Sequence, residues 1–214
     1  MTPFLFLPGF ACPTHAYGAF LASIGASGVA ITAHDPSRGL FAQVTGRSTP
    51  DEEAGRIVAV AEELRAGTAP LVLAGHSRGG FVAYLAAAEV QPAALVLVDP
   101  VSGGGPPWAK PDPLPAIGWA GPTLVLGCGK GGHCAPEGRN HEVFTASLAW
   151  SGVDCTHLVV DDSGHADMLD GHLRTMGRLV CSRGSDPDRA RAALADHVVS
   201  FLRAHGLADD RMPG

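Results

Sequence analysis

Residues 71–80 read LVLAGHSRGG, and this stretch joins a short apolar run to a turn with almost no side chains. The run has the character of a buried strand, and the alanine-rich segment after Gly80 has that of a helix. Gly75 and Gly79 flank Ser77 in the pattern G-x-S-x-G, which is typical of a sharp strand–turn–helix elbow that exposes a serine hydroxyl. Glycines are expected there because side chains would collide in such a turn. The stretch predicts a nucleophilic serine; a glycine-rich turn with an incidental serine is the alternative.

Six short apolar runs along the chain are predicted to be strands. They are rich in leucine and β-branched residues and apolar almost throughout, as expected of strands covered on both faces. Helical patterns alternate with them, which predicts a doubly wound, mostly parallel α/β sheet with helices on both faces, in a single domain of residues 1–214. The runs are 4–8, 29–35, 70–75, 94–100, 123–129 and 156–162.

The starts of three helices are indicated by capping residues. Thr49, followed by a proline and by Glu52 three positions later, has the pattern of a capping box. Asn140 and Asp186 stand before two further helical patterns, where their side chains can accept from backbone N–H groups. The segment 36–48 is predicted to be a polar loop.

A nucleophilic serine needs a general base, and a histidine is the expected one. We favour His165, because it follows the last predicted strand after small residues that allow a loop to turn back toward Ser77. His15 and His141 remain open as alternatives. His76 is adjacent to the serine, but its side chain is expected to point away across the turn.

The base in turn needs an acid to orient it, and Asp99 is the favoured candidate. It ends the run 94–100, so its carboxylate should emerge at the same sheet edge as Ser77. After the next strand no acidic residue follows until Glu137. Asp161 and Asp162 are alternatives that lie close to the histidine along the chain.

Backbone N–H groups are expected to stabilise the oxyanion of the reaction. One should be that of Arg78, which follows the serine at the start of a helix. The second should come from the loop after the first strand, where Phe10 is the favoured donor and Ala11 a further candidate. A plain β-turn in this loop is the alternative.

Composition and charge exclude several classes of function. The chain has 214 residues and a net charge of −6, which disfavours nucleic acid as a partner. The first ten residues, MTPFLFLPGF, are too short an apolar segment for a membrane span and lack the basic leader of a signal peptide, so a cytoplasmic location is the default expectation. The sequence does not indicate an oligomeric state.

The five cysteines are expected to be free thiols. Their odd number and irregular spacing do not suggest a disulfide framework, and the absence of a CxxC pair argues against zinc bound near Cys128, His133 and Cys134. No metal and no organic cofactor is expected.

The proline-rich segment 100–119 is predicted to be a rigid loop over the sheet, near the active site. Its large apolar residues either line a substrate pocket or attach the loop to the core. They are Trp108, Leu114, Ile117 and Trp119. We predict that Ala11, Trp108 and His141 contact the substrate; the alternative for the Asn140–His141 pair is helix capping.

Four short motifs, in order, resemble the α/β-hydrolase superfamily and, within it, the chlorophyllases. They are GHSRGG (75–80), VDPVSG (98–103), CAPEGRNHEVF (134–144) and SGHADMLD (163–170). The resemblance implies a serine esterase with Ser77, Asp99 and His165 as its triad. At the oxyanion loop the sequence has Pro8-Gly9-Phe10 where the family usually has histidine-glycine-phenylalanine.

The favoured hypothesis is a serine hydrolase that cleaves a carboxylic ester with an apolar part through an acyl-enzyme. A thioesterase, an acyltransferase or a lactone-processing enzyme would use the same three side chains. A non-hydrolytic cyclase or a ligand-binding protein is a third hypothesis, although a receptor has no need of a triad.

Overall fold

A computed structural model describes residues 1–65, 69–103 and 114–209. Six strands form one sheet in the order β2-β1-β3-β4-β5-β6, and every neighbouring pair is parallel. The strands are β1 (Pro3–Leu7), β2 (Ala30–Ala33), β3 (Val72–His76), β4 (Ala94–Val98), β5 (Thr123–Lys130) and β6 (Cys155–Gly164). This confirms the predicted α/β sheet.

Helices cover both faces of the sheet. They are α1 (Gly18–Gly25), α2 (Leu40–Val44), α3 (Pro50–Arg65), α4 (Arg78–Val90), α5 (His141–Trp150), α6 (Gly171–Val180) and α7 (Pro187–Ala204), with a 3₁₀ turn at Thr14–Tyr17. Alternate side chains of β1 enter two different cores: Phe4 and Phe6 pack with α1 and α7, whereas Leu5 and Leu7 pack with α3 and α4. Burial on both faces explains why the strand sequences are apolar without alternation.

The strand order creates a crevice where the site residues lie. From β1 the chain runs to β2 on one side and then crosses to β3 on the other side of β1. Ligands in open parallel sheets bind beyond the carboxyl ends of the strands at such a reversal. The turns after β1 and β3 meet there.

The predicted capping residues are observed. In α3, the Glu52 N–H donates to Thr49 Oγ1 and the Thr49 N–H donates to the Glu52 carboxylate, both at 3.3 Å. Asp186 accepts from two N–H groups at the start of α7. Asn140 accepts from the Glu142 N–H at 3.3 Å, so this residue caps α5.

Two helices and one strand differ from the sequence-based expectation. The short helix α2 lies inside the segment 36–48 that was expected to be a polar loop, and α6 was not predicted at all. No residue of α6 is fully buried, although Leu173 packs against the core that contains α1 and α7. Strand β6 is the sheet edge, and Leu158 and Val159 are partly exposed there rather than covered on both faces.

In the described part of the proline-rich segment, residues 114–119, the large side chains attach the segment to the core. Ile117 and Trp119 are buried beside α4 and α5, and Leu114 packs against the same cluster. Trp108, which we expected to contact the substrate, lies outside the described residues.

The prediction of five free thiols is wrong, because Cys134 and Cys181 form a disulfide. The bond joins the loop after β5 to the end of α6 across a separation of 47 residues, so sequence spacing carried no sign of it. Cys12, Cys128 and Cys155 are free. Over the described ranges, no cluster of three or more histidine, cysteine or acidic side chains is arranged to hold a metal ion. None of the helices in those ranges is both long and apolar enough to cross a membrane.

Candidate active site

Ser77 occupies a strained turn between β3 and α4. Its φ of 55° and ψ of −123° place it outside the regions that non-glycine residues ordinarily adopt. The flanking glycines are required by close backbone contacts: a Cβ on Gly79 would lie 2.2 Å from the Leu7 carbonyl oxygen, and one on Gly75 would lie 2.3 Å from that of Gly79. The turn therefore holds the hydroxyl at the sheet edge only because both neighbours lack side chains.

The structure brings Ser77, His165 and Asp99 together. His165 Nε2 lies 2.9 Å from Ser77 Oγ, and His165 Nδ1 lies 2.6 Å from Asp99 Oδ2. Since a carboxylate only accepts, Nδ1 carries the proton, which leaves Nε2 to accept from the serine hydroxyl. All three side chains are buried. Neither Asp161 nor Asp162 takes this place beside the histidine.

Asp99 is held in one orientation by the strand beside it. Its second carboxylate oxygen, Oδ1, accepts from the Cys128 N–H at 3.0 Å, and its own N–H donates to the Leu126 carbonyl. Its φ of 41° is another positive value for a non-glycine residue. Both carboxylate oxygens are therefore used, one toward β5 and one toward the histidine.

A buried carboxylate that the sequence did not indicate shapes the loop carrying His165. Asp167 Oδ2 accepts from the Gly164 N–H at 2.7 Å and from the Gly184 N–H at 3.0 Å. Arg178, from α6, lies 3.1 Å from the other oxygen of the same carboxylate. These contacts tie the histidine loop to the chain that follows α6.

The loop after β1 leaves one N–H available at the site. The Gly9 N–H donates to the Tyr17 hydroxyl at 2.9 Å, the Ala11 N–H donates to Gln43 Oε1 at 2.8 Å, and the Cys12 N–H donates to the Gly9 carbonyl at 3.2 Å. No atom of the described residues accepts from the Phe10 N–H. The Cys12–Gly9 contact closes a β-turn, which is compatible with an oxyanion loop as well as with a plain turn. The Ala11 N–H is already bonded to Gln43, so it could serve the site only if that contact were broken.

The Arg78 side chain turns away from the pocket into the protein. Its guanidinium lies between Ser48 and Glu53, with 2.8 Å between Nη2 and a Glu53 carboxylate oxygen, and both charged groups are buried. The side chain thus joins α4 to α3, whereas the Arg78 N–H lies in the first turn of α4, where N–H groups lack intrahelical acceptors.

A mostly apolar cavity of about 310 Å³ opens on the serine. Its walls come from the loop after β1, the serine turn, the histidine loop and α6. Ala11, which we expect to contact the substrate, lines this cavity. From α6 the cavity receives Leu173, Met176, Gly177 and Val180, and both cysteines of the disulfide border it.

His141, expected at the substrate, does not line this cavity. It begins α5 and packs over Gly127 of β5, where a Cβ would lie 2.5 Å from the imidazole. Its Nδ1 lies 2.9 Å from His157 Nε2. Burial and the nearby His141 lower the pKa of His157. The helix geometry thus turns this imidazole toward the sheet rather than toward Ser77.

His76 also departs from expectation, because its ring faces the site instead of pointing away. The ring centroid lies 4.6 Å from that of His165, and Nδ1 lies 2.8 Å from the Tyr17 hydroxyl. Burial lowers the pKa of His76 well below its usual range, and the neighbouring His165 adds to the effect. Burial therefore favours the neutral form of this imidazole.

The parallel sheet and the serine on a strained strand–helix turn define the class of the protein as an α/β-hydrolase. The fold matches an α/β serine hydrolase without a lid from Xanthomonas campestris, with 19% identity, a TM-score of 0.58, and coverage of 100% of this chain and 85% of that one. It also matches the RedJ thioesterase from the prodiginine biosynthetic pathway of Streptomyces coelicolor, with 16% identity, a TM-score of 0.61, and coverage of 94% and 90%.

The chain belongs to the chlorophyllase family, because the model of that family matches residues 3–212. It is 32% identical to Chlorophyllase-2 of Arabidopsis thaliana over 169 residues, which are 65% of this chain and 51% of that protein. The chain spans about half the length of the curated relatives that it matches. The resemblance seen in the four motifs is thus confirmed.

Proposed function

We propose that the protein is a serine esterase that cleaves carboxylic esters with an apolar part through an acyl-enzyme. The observation that carries this proposal is the hydrogen-bonded series from Ser77 through His165 to Asp99. Such a series can turn a weakly nucleophilic hydroxyl into an effective one, because the imidazole removes the proton as the C–O bond forms.

In the first half-reaction, Ser77 Oγ attacks the ester carbonyl and its proton passes to His165 Nε2. Asp99 holds the imidazole and stabilises its positive charge. The imidazolium then donates that proton to the leaving alkoxide, which departs as an alcohol and leaves the acyl group on the serine. In the second half-reaction, a water molecule loses a proton to the imidazole, attacks the acyl carbonyl and releases the acid, and the proton returns to Ser77.

The N–H groups of Phe10 and Arg78 are proposed to receive the negative charge on the carbonyl oxygen. Phe10 is supported by the bonding of its neighbours, since the N–H groups on both sides of it already have acceptors. One such donor is worth about 3 kcal/mol in the transition state. The Arg78 N–H lies in the first turn of α4, where the helix dipole also favours negative charge.

The apolar walls of the cavity support an ester with an apolar part as substrate. A volume of about 310 Å³ is at the lower end of the range for ligand sites, which is about 300–1,000 Å³. Chlorophyllase relatives make the ester of a pigment one candidate. Short aryl and alkyl esters are the others, because only the groups next to the scissile bond must enter the cavity.

A panel of esters compared between the wild type and Ser77→Ala tests this function. The panel contains short-chain nitrophenyl esters, a thioester and chlorophyll, with an added alcohol to detect acyl transfer by its product. We expect Ser77→Ala to abolish turnover and fluorophosphonate labelling while the circular dichroism spectrum is unchanged. Ser23→Ala, on an exposed face of α1, is the matched control and should be fully active. Undiminished turnover by Ser77→Ala would refute the proposal.

A further inference from the structure

We propose that Tyr17 and Gln43 are positioning residues that clamp the loop after β1, so that this loop presents the Phe10 N–H, and no other of its N–H groups, to the substrate oxygen beside the Arg78 N–H. This inference rests on the proposed esterase function. The two side chains come from separate elements, the 3₁₀ turn at Thr14–Tyr17 and α2 (Leu40–Val44), and neither touches the reacting groups Ser77, His165 or Asp99.

The first clamp is the Tyr17 hydroxyl, which is fully buried and joins the loop to the serine turn. Its oxygen accepts from the Gly9 N–H at 2.9 Å and lies 2.8 Å from His76 Nδ1. The Gly9 N–H can only donate, so the phenolic oxygen accepts from it, and the same hydroxyl also contacts His76 Nδ1 and the Cys12 thiol. The hydroxyl therefore links Gly9, the residue before Phe10, to His76, the residue before Ser77. This contact fixes the position of the loop after β1 relative to the serine turn.

His76 suits this arrangement because the Nδ1 of a neutral ring can either accept from or donate to the Tyr17 hydroxyl. Its ring contacts those of Tyr17, at 5.6 Å between centroids, and His165, at 4.6 Å. A second positive charge beside His165 would oppose formation of the imidazolium during the reaction, which is a further reason for a neutral ring here.

The second clamp is the Gln43 amide. Helix α2 has only five residues, and Leu40, Phe41 and Val44 are exposed, whereas Gln43 is 5% exposed. A buried amide beside exposed apolar residues reverses the usual pattern of a surface helix. Its oxygen accepts from the Ala11 N–H at 2.8 Å and so supports a residue whose φ is 58°. The contact fixes the side of the turn that follows Phe10.

The two clamps matter because an oxyanion donor acts through its position. The donor must lie about 2.7–3.1 Å from the oxygen in the transition state, and losing one donor lowers kcat by about 10²–10³-fold. A looser turn misplaces the donor without removing it, so kcat should fall by a smaller factor, about 10- to 100-fold. Because the contact strengthens only in the transition state, KM should change little.

The test uses Tyr17→Phe and Gln43→Leu in the full chain, with a short-chain nitrophenyl ester as the probe. We expect kcat to fall by about 10- to 100-fold in each variant at nearly constant KM, with an unchanged pH dependence of kcat/KM because the triad is not touched. Gln43→Glu retains an acceptor and should recover most of the activity. Wild-type kcat in both variants would overturn the inference.

Tyr84→Phe is the matched control for loss of stability. Tyr84 is another buried tyrosine with two hydroxyl contacts, to the Pro115 carbonyl at 2.7 Å and to Ser147 Oγ at 2.9 Å, and it lies away from the cavity. Its variant should lose thermal stability much as Tyr17→Phe does, but keep its kcat. An equal loss of kcat in both tyrosine variants would overturn the inference by assigning the effect to folding.

A thionoester provides a readout specific to the oxyanion. Its sulfur is larger and a weaker acceptor than oxygen, so the wild type should cleave the oxygen ester faster than the matching thionoester. Tyr17→Phe and Gln43→Leu should reduce this preference, and an unchanged preference would count against the clamp. If the wild type itself hydrolyses neither ester, the esterase proposal fails instead, so the two failures are distinguishable.

Discussion

Replacement of Asp99 by asparagine should reduce kcat severely, because the structure dictates how the new amide must lie. One carboxylate oxygen of Asp99 accepts from the Cys128 N–H at 3.0 Å, and the other accepts from His165 Nδ1 at 2.6 Å. The Cys128 N–H can only donate, so it retains the amide oxygen of the asparagine. The NH₂ group is then directed at His165 Nδ1.

An NH₂ group at that place selects the wrong histidine tautomer. Nδ1 must become the acceptor, so the proton moves to Nε2, which can then no longer accept from Ser77 Oγ at 2.9 Å. The expected loss in kcat is about 10⁴-fold, or roughly 5.4 kcal/mol at 1.36 kcal/mol per factor of ten, with little change in KM.

Steady-state hydrolysis of a nitrophenyl ester at pH 7 measures this effect. Asp161→Asn is the control, because Asp161 lies near His165 in sequence but makes no contact with it among the described residues. Asp161→Asn should retain wild-type kcat. The reasoning is refuted if Asp99→Asn stays within about tenfold of the wild type, or if the control loses comparable activity.

Three further predictions concern stability and ionisation. Replacing Cys134 and Cys181 by serine should lower the free energy of unfolding by about 4 kcal/mol in urea, since the bond closes a loop of 47 residues; an unchanged transition would contradict the bond. Glu53→Ala should cost about 3–5 kcal/mol in the same assay, because it removes the carboxylate from the buried Arg78 guanidinium; a loss under 1 kcal/mol would be inconsistent with that burial. His76, whose burial lowers its pKa, should titrate by NMR only at a pH below that of an exposed histidine, and an ordinary midpoint would contradict its burial; its contribution to stability is present above the unfolded pKa of about 6.5 and is lost as the pH falls through the lower folded pKa.

The disulfide also bears on where the protein works. Disulfides persist in oxidising compartments and are rare in the cytosol, where thiols are kept reduced. The Cys134–Cys181 bond therefore conflicts with the default expectation of a cytoplasmic location. Thiol titration of the protein purified under nonreducing conditions would count the free cysteines directly.

Much of the fold could be predicted because each strand is a short apolar run between recognisable turns. The carboxyl ends of parallel strands share one sheet edge, so residues directly after strands were correctly expected to lie close together: Ser77, Asp99 and His165 do so. The edge strand β6 departs from the expectation that both faces of every strand are covered. Leu158 and Val159 are partly exposed at this edge of the sheet.

The supporting residues could not be predicted because their signal is not periodic. Tyr17, Gln43 and Asp167 each bind backbone N–H groups that belong to other loops, at sequence separations of 8, 32 and 17 residues. Nothing in a single sequence marks such pairs. The orientation of His76 depends in the same way on a hydroxyl supplied from a distant turn. For Gln43, a single polar residue among apolar neighbours indicates that the side chain could have a special role, but it does not identify the N–H group that it binds.

The central claim is that Ser77 carries the acyl group during turnover. The most direct measurement is intact-protein mass spectrometry after an acid quench during hydrolysis of a nitrophenyl ester, followed by peptide mapping. We expect a mass increase equal to one acyl group, located on the peptide with Ser77 and absent from Ser77→Ala. Efficient hydrolysis with no adduct at that serine, or with the adduct on another residue, would contradict the account.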